Sequence, residues 1–370
     1  MKFLGYLVTG VVFMMLLSCD KSEYQQNYKE YLFSEDKIEI IRSYNSGKAI
    51  YSTPTATEQG NVVVGSHDKC IYFFNSKGAL ISRFKTDGWV HASPALLSDG
   101  TVAIGSYDKH IYFFSGNGKL MNKIKPGGFI FTRIAELPGN RIVFGSNKRG
   151  IVFYNLSDSS YSCISTWRLT HGSPCILSNN IVAIGSNDKR IYLLNHAGEV
   201  ISTVRTGGWI VHSAPLELND SSIAVGSYDH HLYVFSREGE VIHRFETGGK
   251  IHSSPLQLPN GNIVFGSFDG CVYFLNNKGK LLNRFATGGR VVSSPARLSD
   301  GTVIIGSIDG SLLFFRPDGS VRGIYRAKGK IFSSPLVLKD DTIVICTTNG
   351  IIEFIRLKNH ADIMAGVRMV

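Results

Sequence analysis

Four histidines recur in this sequence at intervals of 40 residues or close to a multiple of it. Imidazole is a common metal ligand and proton-transfer group. The four are His91, His171, His212 and His252. They belong to a 40-residue repeat, described below, whose other copies have Tyr51, Phe131, Val292 and Phe332 at the same position. Zinc requires ligand nitrogens about 2 Å from one centre, and we expect side chains on separate repeats not to converge on one. The aromatic and valine occupants favour a packing position, so no metal site is predicted.

Aspartates also recur, once in most copies, and a carboxylate could serve acid–base chemistry. They are Asp68, Asp108, Asp188, Asp229, Asp269 and Asp309. Each lies in a tight-turn pattern, where aspartate bonds its own backbone, and repetition in six copies favours that structural role. The sequence contains no Ser-His-Asp spacing, phosphate-binding glycine loop or nucleophile elbow. We therefore predict no enzymatic activity and no cofactor.

Basic and aromatic residues form a third recurring set, of the kinds that binding hot spots favour. The loops between the second and third strands of a repeat carry Lys69, Lys109, Arg149 and Lys189, with Lys148, Arg190, His110, His230 and His231 beside them. The loops leading into the next repeat carry Trp89, Phe129, Trp209, Lys250, Arg290 and Lys330. We expect both kinds of loop on one face, which predicts a docking surface. The alternative is a solvated basic face that keeps the protein soluble.

The elements that position these residues follow from a repeat. A Gly-Ser pair recurs at a spacing of 40 residues, with one interval of 41, beginning at Gly65, Gly105, Gly145, Gly185, Gly226, Gly266 and Gly306, and Cys346-Thr347 is a degenerate eighth copy. A proline recurs in phase with it, except in the third copy, which reads Thr132-Arg133-Ile134. In the copy at 251–289, turn signals separate four apolar runs, 251–258, 262–266, 271–275 and 281–285. Four short strands at this period predict an all-β, eight-bladed β-propeller of four-stranded antiparallel blades.

The first 19 residues read MKFLGYLVTGVVFMMLLSC. About 15 apolar residues are too few for a comfortable membrane span, which needs about 20. The segment resembles a bacterial lipoprotein signal with Leu16-Leu17-Ser18-Cys19 as its lipobox, which implies that Cys19 becomes the lipidated, palmitate-bearing first residue. The alternatives are an ordinary cleaved signal peptide and an uncleaved anchor. Asp20 resembles an enterobacterial inner-membrane retention mark, but the rule varies between bacteria, so inner and outer membrane both stay open.

The ends of the chain predict how the ring closes. Residues 20–36 are polar, lack strand alternation and are expected to be a tether. Residues 37–44 match a fourth strand, whereas 351–355 is a third strand with no fourth strand after it. Pairing the two would complete the eighth blade and remove exposed sheet edges. The propeller then spans 37–357, and the tail 358–370 fits no blade position.

Bulk composition is compatible with this fold. Hydrophobic residues make up 43% and charged residues 18%, as in an ordinary all-β globular protein. Lysine and arginine number 39 against 29 acids, a net charge of +10, which implies attraction to acidic partners or anionic surfaces. Because the chain carries an export signal, we expect an acidic protein segment or anionic envelope polymer and no nucleic acid. Six scattered cysteines do not form a disulfide scaffold, and we expect small buried side chains.

The repeat resembles the pyrroloquinoline-quinone-type repeat over about residues 37–357, in motifs such as Ser293-Ser294-Pro295-Ala296 and Gly306-Ser307-Ile308-Asp309-Gly310. That family commonly has tryptophan near the end of the fourth strand, where this chain has Tyr44, Phe84, Ile124, Phe245, Phe285 and Tyr325. Its quinone dehydrogenases are much longer and share a vicinal cysteine pair, a calcium-binding acidic cluster and a catalytic aspartate. No two cysteines are adjacent here. The resemblance therefore implies the fold without the cofactor.

Shorter members of that family that carry a lipoprotein signal include the β-propeller lipoprotein of the outer-membrane barrel-assembly machine, which docks to partners. This chain is similar to it in length, blade count and lipobox. We therefore expect a monomeric, membrane-anchored envelope lipoprotein that faces the periplasm and acts as a non-enzymatic protein-binding scaffold. Outer-membrane protein assembly is the process that the resemblance implies. The alternative function is a small-molecule or quinone-binding propeller, with or without redox activity.

Overall fold

Eight four-stranded antiparallel sheets form the blades of a closed ring in the computed structural model of this protein, which describes residues 28–34 and 37–358. Within each blade, strands that are consecutive in the chain are hydrogen-bonded neighbours, from an innermost first strand to an outermost fourth strand. In the last blade the outermost strand comes from the beginning of the chain. The predicted eight-bladed β-propeller is confirmed.

The strands of each class have similar lengths in the described part of the chain. The first strands are β2 (Thr55–Ala56), β6 (Ala95–Leu96), β10 (Ala135–Leu137), β14 (Cys175–Ile176), β18 (Leu216–Glu217), β22 (Leu256–Gln257), β26 (Ala296–Arg297) and β30 (Leu336–Val337). The second strands are β3 (Val62–Gly65), β7 (Val102–Gly105), β11 (Arg141–Ser146), β15 (Val182–Ser186), β19 (Ile223–Gly226), β23 (Ile263–Gly266), β27 (Val303–Gly306) and β31 (Ile343–Cys346). The third strands are β4 (Cys70–Phe74), β8 (Ile111–Phe114), β12 (Gly150–Asn155), β16 (Arg190–Leu194), β20 (His231–Phe235), β24 (Cys271–Leu275), β28 (Ser311–Phe315) and β32 (Ile351–Leu357). The fourth strands are β5 (Leu80–Lys85), β9 (Leu120–Ile124), β13 (Tyr161–Ile164), β17 (Val200–Arg205), β21 (Val241–Glu246), β25 (Leu281–Ala286), β29 (Val321–Arg326) and β1 (Ile38–Asn45).

The core lies between blades. Second and third strands are buried on both faces, which explains their continuous apolar sequences, whereas the fourth strands expose side chains to solvent. Aromatic rings join successive blades, as in the pair Phe73 and Phe114 with centroids 5.3 Å apart. The recurrent glycine permits this close packing. A Cβ on Gly65 would lie 2.3 Å from Cγ1 of Val90 in the next blade, so no larger residue fits there.

The two ends of the chain close the ring as predicted. Strand β1 pairs antiparallel with β32 from Ile38 opposite Leu357 to Asn45 opposite Ile351. A shift in register interrupts the pairing between Ile40 and Arg42. Glu39 and Arg356 add an ion pair at 2.8 Å across the same two strands. The eighth blade is therefore a noncovalent joint between the two termini.

Part of the segment expected to be a tether is packed against the propeller. Residues Tyr28–Tyr31 form a 3-10 helix, and the amide of Phe33 donates to the carbonyl of Ile324 in β29 at 2.9 Å. The Phe33 ring meets Phe314 edge-on with centroids 5.1 Å apart, and Gly323 leaves the room for it. The spaced aromatic residues of this stretch bury against the seventh blade, so the expectation of a solvated tether is wrong for residues 28–34. The lipobox, Cys19 and the tail beyond 358 lie outside the described residues.

The expected burial of the cysteines is met only in part. Cys70 and Cys346 are free and buried, as expected, whereas free Cys163 is exposed on the outer strand β13 and Cys175 is half-buried. None of the helices in the described ranges is long and apolar enough to cross a membrane.

Candidate docking face and central channel

One face of the ring is built from two kinds of loop that bond each other, as the sequence predicts. The amide of Thr86, in the loop that enters the second blade, donates to the carbonyl of Lys69 at 2.8 Å. Farther along that entry loop, the carbonyl of Trp89 accepts from the amide of Tyr107 at 2.9 Å. We call this surface the docking face; it comprises the second-to-third-strand turns and the entry loops of all eight blades.

The recurrent aspartates hold these loops in place. One carboxylate oxygen of Asp108 accepts from the amide of His110 at 3.0 Å, and the other from the hydroxyl of Tyr112 at 2.7 Å. That second oxygen also accepts from the amide of Asp87, at 3.1 Å, in the entry loop that carries Trp89. Burial acts to raise the pKa of Asp108, but these hydrogen bonds outweigh it and lower the pKa. The structural interpretation of the repeated aspartates is confirmed.

The predicted basic residues lie on the docking face. Lys69, Lys109 and Lys189 are exposed and adopt positive φ values of 72°, 73° and 68°, so the turn aims each outward. Arg149 is half-buried at the corresponding turn of the third blade, and its guanidinium lies 4.5 Å from the Tyr161 ring centre. The remaining basic positions are exposed entry-loop residues of blades six to eight, namely Lys250, Arg290 and Lys330.

Three aromatic residues and a leucine form one continuous arc of the docking face, called the aromatic arc below. The entry-loop position holds Trp89, Phe129, Leu169 and Trp209 in blades two to five, with exposed fractions of 49%, 36%, 39% and 42%. Blades six to eight hold lysine or arginine there, so the face divides into an aromatic part and a basic part. Trp89, Phe129 and Trp209 in the earlier blades and the cations in the later ones lie where the sequence predicted them, whereas Leu169 was not among the predicted residues.

Trp167 was missed by sequence reasoning and is the most exposed of the large hydrophobic side chains in the described residues, at 86%. It stands where the fifth-blade entry loop has Gly207, because Thr-Gly-Gly is replaced by Thr166-Trp167-Arg168. This departure from the repeat is the signal by which Trp167 could have been found in the sequence. Trp167 borders a groove of about 530 Å³, whose other walls include Arg168, Leu169 and Trp209. The Arg168 guanidinium lies 5.8 Å from the Trp209 ring centre.

Beneath the docking face, the recurrent histidines converge in the central channel. His91 of the second blade and His212 of the fifth have ring centroids 5.4 Å apart, across the axis of the ring. His212 also stacks on His252 at 4.7 Å, and Phe332 meets His252 at 5.3 Å. The expectation that these side chains stay apart is wrong, because aromatic rings from all sides are long enough to fill the narrow lumen. The predicted packing role is confirmed, since together they form a plug.

The plug keeps its imidazoles neutral. Burial, helped by the neighbouring imidazoles, lowers the pKa of His91 to about 3. Burial lowers that of His252 to about 4, against a hydrogen bond to the Val292 carbonyl that favours protonation. The pKa of His212 is lowered well below its ordinary value by burial and by His252, His91 and His171. Within 28–34 and 37–358, no three histidine, cysteine or acidic side chains are grouped so that they could hold a metal ion.

Neither a protein-family profile nor a curated protein sequence matches this chain. Solved structures do. The crystal structure of BamB from Moraxella catarrhalis has a TM-score of 0.71 at 17% identity, over 87% of this chain and 98% of that one. Sqt1 of Saccharomyces cerevisiae has a TM-score of 0.73 at 13% identity, over 86% and 98%. A computationally designed protein, Ika8, has 0.70 at 16%, over 85% and 98%. At these identities the similarity shows a shared fold: this chain is a β-propeller like BamB.

Proposed function

We propose that this protein is a lipid-anchored envelope scaffold without enzymatic activity, and that it docks a protein partner on the docking face. The observation that carries this proposal concerns tryptophan. The chain has three tryptophans, and all of them, Trp89, Trp167 and Trp209, lie exposed on the same arc of one face. Tryptophan is strongly enriched among the residues that dominate binding energy at interfaces. A basic face that served solubility alone would not collect them.

The frame beneath these side chains supports the same function. The loops that carry Trp89 and Trp209 are tied to half-buried aspartates: the amide of Asp87 donates to Asp108, and the amide of Gly207 donates to Asp229 at 2.6 Å. Side chains that are already positioned lose little conformational entropy when a partner binds. Turn lysines interleave with the aromatic arc, and entry-loop cations continue around the ring. A partner segment that combines apolar side chains with acidic ones fits both parts of the face.

The anchor and the location are proposed from the sequence. The lipobox-like residues 16–19 would place the lipid on Cys19, and the propeller would then face the periplasm from the inner or outer membrane. The fold shared with BamB, together with the lipobox, supports a role in outer-membrane protein assembly. In this proposal the propeller is monomeric, because ring closure within one chain leaves no blade for a second copy to complete.

A site-specific crosslink tests the docking face. A photo-reactive residue replaces Trp167 in the full-length protein in its native envelope, and a matched variant carries it at Ile242. Ile242 is 58% exposed on the outer strand β21, away from the docking face. We expect one envelope protein to be captured from position 167 and not from 242, and the captured protein to lose affinity for the Trp89→Ala, Trp209→Ala variant. Equal capture from both positions would contradict the proposal.

A further inference from the structure

A belt of hydroxyl groups surrounds the central channel two residues beyond the histidine plug along each first-strand segment. The amide of Ser254 donates to the Ser294 hydroxyl oxygen at 2.9 Å, and Ser294 bonds Ser334 in the same way at 2.9 Å. The same link between neighbouring blades joins Ser334 to Thr53, Thr53 to Ser93, Arg133 to Ser173 and Ala214 to Ser254. Six hydroxyl oxygens therefore each accept one backbone amide.

Within the described part of the chain, the protons of these six hydroxyls have no acceptor. A serine or threonine hydroxyl can donate one hydrogen bond while its oxygen accepts another. No acceptor for the hydroxyl protons of Thr53, Ser93, Ser173, Ser254, Ser294 or Ser334 is found among residues 28–34 and 37–358. The belt thus offers hydrogen-bond donors to whatever occupies the lumen.

Arg133 replaces the hydroxyl of the third blade. Its side chain reaches water through the channel and yet is surrounded by protein, and this burial lowers its pKa. An arginine stays protonated in proteins even so. Its guanidinium forms no ion pair with any acid of the described residues. The guanidinium is exposed in the channel, so without an acidic partner among these residues it is available to an anionic ligand.

The space beside Arg133 is a cavity of about 370 Å³. Its lining includes Arg133, the hydroxyl belt and the plug residues His91, His212 and His252, and it contains no aspartate or glutamate. At about 30 Å³ per water molecule, the volume accommodates a compact ligand of about a dozen water volumes. A lining with one permanent positive charge, several free donors and no acid fits an anion.

We propose that this cavity binds a small oxyanion, a carboxylate or a phosphate, between Arg133 and the hydroxyl belt. Guanidinium pairs with the two oxygens of either group in a bidentate fork, and the serine hydroxyls donate to the others. The plug separates this site from the docking face, while Pro54, Thr55 and Pro335 extend the cavity toward the opposite face. The ligand therefore enters from the side away from the docking partner, and its site is independent of the proposed scaffold function.

The test measures binding of inorganic phosphate and of succinate to the detergent-solubilised full-length protein, by calorimetry and by the shift in melting temperature against equal ionic strength of sodium chloride. Arg133→Ser is the main variant, because most other blades carry serine or threonine at that position and the fold should accept it. Arg149→Gln, on the docking face, is the matched control. We expect Arg133→Ser to lose affinity by roughly tenfold or more and Arg149→Gln to bind like the wild type.

The two probes distinguish the sources of the anion: binding of phosphate alone assigns a phosphoryl group, and binding of succinate alone a carboxylate. Ser93→Ala with Ser173→Ala keeps Arg133 and should weaken binding without abolishing it, which separates the belt from the charge. The proposal is overturned if neither probe binds better than chloride at about 10 mM. It is also overturned if Arg133→Ser binds as tightly as Arg149→Gln, which would indicate an adventitious anion on surface cations.

Discussion

His91 and His212 lie with their imidazole centroids 5.4 Å apart although two whole blades, the third and the fourth, stand between theirs along the ring. Such a contact is possible only across the lumen, so the histidine layer closes the channel. Because the surrounding rings desolvate both half-buried imidazoles, they are neutral in the folded protein, whereas they protonate near pH 6.5 when the chain unfolds. Folding is therefore linked to pH through this layer.

We expect stability to fall as the pH decreases from 7 to 5. The lowered pKa values of His91, His212 and His252 mean that the unfolded chain takes up protons in this window and the folded chain does not. Each histidine contributes up to about 2 kcal/mol of this loss, at about 1.36 kcal/mol per pH unit below 6.5. Urea unfolding at both pH values measures it.

The matched variants for this experiment are His252→Phe and His230→Asn. Phenylalanine fills the plug position in two other blades, and His230 lies in a surface turn at a positive φ that asparagine tolerates. His252→Phe should reduce the dependence of stability on pH, and His230→Asn should leave that dependence unchanged. The buried Glu353 carboxyl, whose pKa burial raises, acts in the opposite direction but is the same in all three proteins. Equal slopes for the wild type and His252→Phe would contradict the prediction.

Removal of the first strand should destabilise the whole ring. A chain that begins at Lys48 lacks β1, so β32 would lose seven paired residues and expose an apolar edge. We expect a lower melting temperature and concentration-dependent aggregation compared with a chain that begins at residue 37. Circular dichroism melts and light scattering measure the two effects. If both chains melt alike, the terminal strand is not needed for closure.

Charge on the docking face should govern the rate at which the partner associates. The exposed cations around the ring act together at distances up to the Debye length of about 8 Å, so association should slow as salt rises. Arg149→Glu, Lys189→Glu and Arg290→Glu together should slow it roughly tenfold or more with the melting temperature unchanged. The association rate is measured at two salt concentrations by surface capture, with the partner that the crosslinking experiment identifies. If the triple variant associates at the wild-type rate, the docking surface lies on the opposite loops and the prediction is wrong.

The tryptophans should determine the rate at which the partner dissociates. Trp89→Ala and Trp209→Ala remove contact area that the partner buries and leave the long-range charge in place. We expect faster dissociation with little change in association, because most effects of interface substitutions appear in the dissociation rate. Leu282→Ala, which removes a 49% exposed side chain from the outer strand β25, is the control and should change neither rate.

The lipid anchor has a direct test at Cys19. Cys19→Ala should abolish labelling with a radioactive fatty acid and either release the protein from membranes or leave it unprocessed. Cys163→Ala removes an exposed thiol of the propeller and serves as the control, with labelling retained. Labelling that persists in Cys19→Ala would exclude lipidation at that residue.

Most of the fold could be predicted from the repeat, because its glycines, turns and buried strands are local signals that recur in phase. Gly65 is an example, since its contact with Val90 of the next blade is repeated around the ring. The misjudged features are not local. The contact between His91 and His212 depends on the width of the lumen, and the packing of Phe33 on Phe314 joins segments nearly three hundred residues apart. Trp167 and Arg133 both lie where a copy departs from the repeat. Such departures indicate candidate functional residues, as a sequence motif does.

The 3-10 helix and the residues after it give the propeller a mechanical property. Any pull on the chain before Tyr28 meets the seventh blade first, where the Arg326 guanidinium lies 4.5 Å from the Tyr28 ring centre and the Phe33 ring packs on Phe314. Only after these contacts fail does the force reach β1, whose hydrogen bonds to β32 hold the ring shut. If the chain is anchored through Cys19, the load therefore enters at the rim of the ring, and the contacts of residues 28–34 shield the pairing of β1 with β32 from it.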